Sequence, residues 1–583
     1  MTKHYYSVFI CILFFIGLSN AQTPCENGLA GGYPCEDLDL MSYLPFSSLH
    51  SGASSGNDSW GWTDPLDDSE YAIMGLNNGT VFVNITNAAN PVVVGFLRSH
   101  NNRNSSWRDI KTYNNYAFIV SEAVGHGMQV FDLKRLRNVS SYTNFNEDAH
   151  LDTFNDAHNI IINEDTGFAY VVGAPAQYSA GPYFIDISDP LNPTPVGGFS
   201  GDGYTHDAQV VTYTGPDSDY TGHEILIAAN ETDVTLVDVT NKSNPVQIST
   251  ISYPNYTYTH QGWFTEDQRY FLLGDEQDET AIGFNTKTVI FDLVDLDNPV
   301  IHFNYYGPTA AIDHNGYVKG NRFYLANYSA GLRVLDISDI ANRNISEIAS
   351  FDTYVTSGSH DGATFAGAWN VYPYFESGNI VISGYTGGLY IVRDRKPTAI
   401  CQDITVTLDV SGNATIMAED IDNGSTDNNP LVDISIDVSN FTTEDLGDNP
   451  VILTVTDSEG QTASCVSTVT VLDYVPIEFT YNNGLWSPNA PSLITNPSTI
   501  GDNINVLNGE ISLLENVSAK NLSISTGSTL NLGNATLSLS GNLINNGSLN
   551  ADTGTLLLNG DSDQTLSGNA IALNNFTVAS NST

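Results

Sequence analysis

Apolar and polar positions along this chain alternate in short runs, rich in β-branched and aromatic residues and bounded by Gly, Asn or Asp, the punctuation of antiparallel strands. The clearest unit is AIDHNGYVKGNRFYLANYSAGLRVLDISD, Ala311 to Asp339. It predicts a histidine-bearing first strand, a second strand over Arg322 to Leu325, a Gly-containing turn and a third strand over Leu332 to Ile337. Alone, such a unit cannot bury its apolar face, and it recurs. An apolar triplet closed by a polar residue appears as VFVN (Asn84), QVFD (Asp132), YFID (Asp186), TLVD (Asp238), VIFD (Asp292), RVLD (Asp336) and YIVR (Arg393), with successive markers 44 to 57 residues apart. Six residues beyond each of the first six stands an asparagine: Asn90, Asn138, Asn192, Asn244, Asn298 and Asn342. Four of these precede a proline (Pro91, Pro193, Pro245, Pro299), which stops the strand and removes a backbone donor. That period suits a blade of four strands, so the repeats predict an all-β chain with a seven-bladed β-propeller over residues 59–396.

Beyond Arg395-Lys396-Pro397 the pattern changes. Residues 397–474 carry alternating strands (ITVTLDV, NATIMAED, DISIDV, VILTVTD, STVTVLD) spanned by Cys401 and Cys465. Asp420, Asp422 and Asp427 are spaced like a small oxygen-ligand calcium loop, but the EF-hand pattern and its closing Glu are missing, and an ordinary acidic turn is the alternative. From 475 to 583 only Lys520 remains of the basic residues, and Leu or Ile alternates with small polar residues as in a parallel β-solenoid. A disordered low-complexity stalk is the other reading, against which the regular leucine spacing argues. The pattern runs out at Asn581-Ser582-Thr583 without a capping segment, which predicts a truncated C-terminus.

Composition narrows the function. At 583 residues the chain is too long for one core. With 19 Lys plus Arg against 66 Asp plus Glu, a net charge of −47, it lacks the cations that nucleic acid or an anionic membrane demands. The segment MTKHYYSVFICILFFIGLSNA reads as a secretory signal peptide cleaved after Ala21, too short in its apolar run to span a bilayer. No other segment reaches that length, so the mature chain is expected to be a secreted or cell-surface protein without a transmembrane helix, and a monomer. Cys11 leaves with the signal. Of the rest, Cys25 with Cys35 and Cys401 with Cys465 are the local pairings expected in an oxidising compartment, the first within a lead-in over residues 22–58.

The motifs WGWTDP, YAIMGLNNGTVFVNI, GHGMQVFDL, DAHNI, YTHDAQ, YTHQGW, IDHNGY and SGNIVISGYTGGLYIV, between Cys25 and Arg395, resemble the choice-of-anchor B family with its LVIVD repeats. The resemblance implies an exported bacterial surface protein whose C-terminal attachment device varies; it supplies no reaction and no catalytic residues. Residues 397–474 look like a hyalin-repeat-type immunoglobulin-like module, with AEDIDNGSTDNN as its loop and Asn428-Asn429 where that family often carries a cysteine. Such modules act as spacers or adhesive units.

Chemistry has to come from the residues. His158, His206, His260 and His314 begin the first strands of consecutive repeats, the position held by Trp62 in the first repeat, Trp107-Arg108-Asp109 in the second and Trp369 in the last. First strands line a propeller's channel. The antiparallel second strands end beside them with Glu122, Asn230-Glu231, Asp275-Glu276 and Asn327. Imidazoles and the carboxylates Glu231, Asp275 and Glu276 at one mouth suit a transition metal, able to activate water. The plainer reading makes each histidine a structural pin on a neighbouring carbonyl. His126 and His360 fall in loops, from which either could join the mouth, but a loop histidine beside glycine is more often simply exposed. Tyr204, Tyr258 and Trp263 lie beside the histidines and suggest an aromatic, acidic mouth for a sugar. Neither H-E-x-x-H nor a P-loop is present. Two classes of function follow. One is a binding or adhesion protein for an extracellular glycan, a surface protein or a cation; the other is a metal-dependent extracellular hydrolase.

Overall fold

The structure, a computed structural model, describes residues 22–355, 361–427, 431–457, 461–491 and 498–579. The signal-peptide segment with Cys11, His360, Asn428-Asn429 and Asn581-Ser582-Thr583 lie outside these residues. The chain is all-β and divides into two units after Arg395.

Among its described residues the first unit contains seven sheets of four or more strands. Their first strands are Gly56–Thr63, Arg108–Tyr113, Asn159–Asn163, Asp207–Thr212, Thr259–Phe264, Gly316–Lys319 and Ala368–Tyr372. Each first strand contacts the next, and the seventh contacts the first, so together they line a closed ring.

The polar markers mark a local device. Asn84, Asp132, Asp186, Asp238, Asp292 and Asp336 each end a third strand, and the side chain of each accepts a hydrogen bond from the amide two residues on. An Asx turn of this kind satisfies a donor that the finished strand no longer pairs. Just before the marker, the third and fourth strands slip register, as between Leu236 and Val237 or Val334 and Leu335. A bulge there adds the twist that a blade needs.

Apolar side chains fill the wedges between sheets. Phe82 of the first sheet stacks on Phe131 of the second at 4.6 Å, both fully buried. Each such ring contributes about 1.5–3 kcal/mol by leaving water.

The ring closes through the N-terminal lead-in. Leu38–Pro45 is the outer strand of the seventh sheet, antiparallel to Gly388–Asp394. Tyr33–Glu36 extends the sixth sheet beside Ser346–Phe351, with the Cys25–Cys35 disulfide clasping the hairpin that precedes Leu38.

In the second unit, Thr462–Leu472 pairs antiparallel with Gly447–Asp457 and parallel with Ile404–Thr407, and Leu431–Ile436 flanks Gly447–Asp457. Cys401 and Cys465 are bonded. From Glu478 onward most strands pair in parallel with strands further along the chain, in three ladders. Leu530, Leu537, Leu543, Leu549 and Leu556 point inward and are buried, whereas Asn550 donates to Asn531 along the outside, a ladder that accounts for the alternation of leucine and asparagine. Among the described residues no helix is long and apolar enough to cross a membrane.

Candidate functional site

The shared histidine register becomes an arc in space. Ring centres of His158, His206, His260 and His314 follow one another at 4.3, 4.3 and 4.4 Å, and Trp369 continues the arc at 4.5 Å. His158, His206 and His314 come just ahead of their first strands, and His260 is the second residue of its own. Equivalent positions on neighbouring strands of a ring must face the same end of the channel.

These rings line a cavity of about 430 Å³ together with Glu122, Glu276, Trp107 and the tyrosines Tyr204, Tyr258 and Tyr328. The Nδ1 atoms of His206 and His314 donate to main-chain carbonyls of the next sheet, His260 at 3.1 Å and Trp369 at 2.5 Å. Pinning through Nδ1 fixes the tautomer and leaves each Nε2 as a bare acceptor. His158 instead pairs its Nδ1 with Glu122 at 2.7 Å. The pin and the ligand readings are therefore compatible, because they use different nitrogens.

One carboxylate reaches two of the rings. Glu276 Oε2 lies 3.8 Å from His260 Nε2 and Oε1 lies 3.6 Å from His314 Nε2, while Tyr328 donates to Oε1 at 2.9 Å. His260, Glu276 and His314 are close enough to share one metal ion. A cation with ligands at about 2.0–2.2 Å would sit between donors separated in this way. The carbonyl behind His314 is the usual outer partner of a metal-ligating imidazole; the Nδ1 of His260 is buried and, among the described residues, has none.

Burial sets the charges. It holds the imidazoles of His206 and His260 well below their ordinary range, helped by neighbouring histidines, and pushes His314 down to about 3. The same desolvation raises Glu276 to about 7, against the opposing pull of the Tyr328 hydroxyl. Neutral imidazoles beside a carboxylate form the kind of nitrogen and oxygen donor set that suits a divalent transition metal.

Other expected residues go elsewhere. Asp275 is buried under hydrogen bonds from Tyr253, Tyr258 and both the amide and hydroxyl of Thr257, facing away from the cavity. Glu231 lies beside Tyr258 rather than at the triad. Asn230 bonds Thr205 and Asp202, and Asn327 bonds Thr286. Trp62 is not on the arc; it sits at the far end of its strand, on Tyr71 and Asn115. Trp263 lines a different cavity. His126 is fully buried against Arg108 and Gln129, not exposed, because the loop folds inward over the start of the second sheet. In the second unit Asp420 accepts from the amide of Met417 and Asp422 from Ser425, so both act within local turns; with Asp427 they form no converging group among the described residues.

A layer of polar residues one step below the histidines was not anticipated. Asn159 donates to His206 O at 3.1 Å, Gln261 to Gly316 O at 3.1 Å, Asn370 to Ser59 O at 2.6 Å, and Asn315 to Asp58 Oδ1 at 2.6 Å. The first three of these bonds stitch an inner strand to its neighbour, and the fourth reaches from the sixth sheet to the first. The signal was in the motifs, since an Asn, Asp or Gln follows every histidine of the register (DAHN, YTHD, YTHQ, IDHN).

No family model matches this chain, and no curated protein does. Among solved structures, the β-propeller domain of Cps50 (Swd1) from Myceliophteria thermophila is similar over 60% of this chain and 99% of that one, at 10% identity and a TM-score of 0.40.

Proposed function

We propose that the first unit is the seven-bladed propeller of an exported surface protein of the choice-of-anchor B type, and that it binds a divalent transition metal at one mouth of its channel. His260, His314 and Glu276 hold the ion, and the open side of the cavity accepts an oxygen-bearing extracellular ligand against Tyr204, Tyr258 and Tyr328. The observation that carries this reading is the single Glu276 carboxylate placed 3.6 and 3.8 Å from the Nε2 atoms of two buried, neutral imidazoles, His314 and His260. In the same proposal the N-terminal segment directs export, residues 397–474 are an immunoglobulin-like spacer and residues 475–583 a solenoid stalk.

A second reading, a metal-dependent hydrolase, is favoured by the His158–Glu122 pair at 2.7 Å in the same cavity, an imidazole oriented by a carboxylate as a general base is.

The test is metal content of the protein purified without chelator or affinity-tag metal, compared with His260→Ala/His314→Ala. Near-stoichiometric transition metal in the wild type, lost in a variant with native circular dichroism, supports the site. Absence of metal after reconstitution rejects it. Turnover of nitrophenyl esters or phosphoesters by the loaded protein, lost in His158→Ala, then selects the hydrolase.

A further inference from the structure

The same seven first strands end, at the opposite side of the ring, in a second cavity of about 400 Å³. Its wall is a run of interlocked rings. Trp263 meets Tyr317 edge-on at 4.9 Å, Tyr317 meets Trp60 at 5.7 Å, and Trp60 meets Tyr372 at 5.1 Å. The wall is seated on glycine: a Cβ at Gly61 would fall 2.1 Å from the Tyr372 ring. Edge-to-face packing holds these rings in place before any ligand arrives, which lowers the entropy lost on binding.

The polar groups of this cavity carry both signs. The Lys111 ammonium lies over Trp60 at 4.6 Å and bonds Asp109 at 2.7 Å, and Asp207 and Glu164 face the same space. A cationic ligand would meet Lys111 on the aromatic face, and an anionic one would meet the carboxylates. What fits is a neutral molecule with an apolar face for the rings and hydroxyls that both donate and accept. The volume lies within the range of small-ligand pockets.

We propose that this cavity is a carbohydrate site, taking one or two sugar rings of a neutral saccharide. The pyranose C–H face stacks on Trp263, and its hydroxyls bond Lys111, Asp207 and Glu164. The site is independent of the metal site, since the two cavities share no lining residue.

The experiment titrates the full chain with lactose, cellobiose, maltose, xylobiose and chitobiose, following tryptophan fluorescence and binding heat. A saturable response to at least one sugar is expected. It weakens at least about tenfold, some 1.4 kcal/mol, in Trp263→Ala and several-fold in Glu164→Ala, and recovers in Trp263→Phe. His260→Ala/His314→Ala leaves it unchanged. Melting curves check that each variant is folded, and the peripheral Glu164→Ala keeps the test decisive should Trp263→Ala unfold. No saturable response to any sugar, full affinity in both pocket variants, or loss in the histidine variant overturns the proposal.

Discussion

The Nδ1 of His206 donates to the main-chain carbonyl of His260, 3.1 Å away, and both residues are buried. This bond ties the fourth sheet to the fifth at the channel. Truncation to alanine leaves a buried carbonyl unpaired and opens a void, which costs about 1–3 kcal/mol for the lost partner alone. His206→Ala is therefore expected to lower the urea midpoint of the first unit while leaving its metal content unchanged, because His206 lies outside the His260–Glu276–His314 group. An unaltered midpoint would remove the pin.

Adjacent acids divide the labour. Asp275 accepts from Tyr253, Thr257 and Tyr258, whereas Glu276 turns into the cavity. Asp275→Ala strands several buried donors at once and should destabilise by about 3 kcal/mol or more. The variant that still folds is expected to keep its metal; Glu276→Gln is expected to fold normally and lose it. Denaturation and metal analysis of the pair give the contrast directly.

Tyr328 contributes at one remove. Its hydroxyl holds Glu276 Oε1 at 2.9 Å and so orients the carboxylate toward His314. Tyr328→Phe keeps the ring and removes only that bond. Outer partners of this kind are worth about 10–100-fold in metal affinity. Competition with a coloured chelator should show a shift of that size, and an affinity equal to wild type would mean that Glu276 needs no support.

His126 predicts a pH dependence. Burial first, then the Arg108 guanidinium, pushes its pKa from 6.5 down to about 3. Unfolded chains take up this proton near 6.5 and folded ones do not until about 3, so the stability His126 contributes is present above 6.5 and is lost as pH falls below it. The loss runs at about 1.4 kcal/mol per pH unit. Asp207, raised by burial to about 7, works in the opposite direction, losing stability as pH rises, but it is common to both proteins and cancels in a difference. His126→Gln should flatten the decline of folding free energy between pH 6 and about 4 relative to wild type. Parallel curves would contradict the assignment.

The ring was legible because its markers are local chemistry: each Asx turn is written within three residues. The histidine arc was legible too, since register along one strand type becomes position around the channel. What strand geometry does over longer distances was harder to read. Trp263 stands only three residues beyond His260, yet a strand rises about 3.3 Å per residue, enough to carry it to the other end of the channel. Successive side chains also point to opposite faces, so Asp275-Glu276 could not be divided without knowing which face was the cavity. Least visible was the closing strand, whose partner lies more than 300 residues away.

That strand supports the last prediction. Leu38–Pro45 pairs along its length with Gly388–Asp394, so the first segment of the unit is hydrogen-bonded to the last and the ring is held shut by main-chain bonds. Leu38, Leu40, Met41 and Leu44 are buried, so removing the strand also uncovers an apolar face and a bare sheet edge. Deletion of residues 22–45 is expected to abolish a sharp melting transition and to yield soluble aggregates on size exclusion. Reduction of Cys25–Cys35 alone is a milder perturbation, because the strand still pairs. It relaxes only the short loop ahead of Leu38 and should cost about 2–3 kcal/mol, leaving the cooperative transition at a lower temperature. A deletion variant that melts as sharply as the full chain would show that the ring closes through the packing of its sheets without the N-terminal strand.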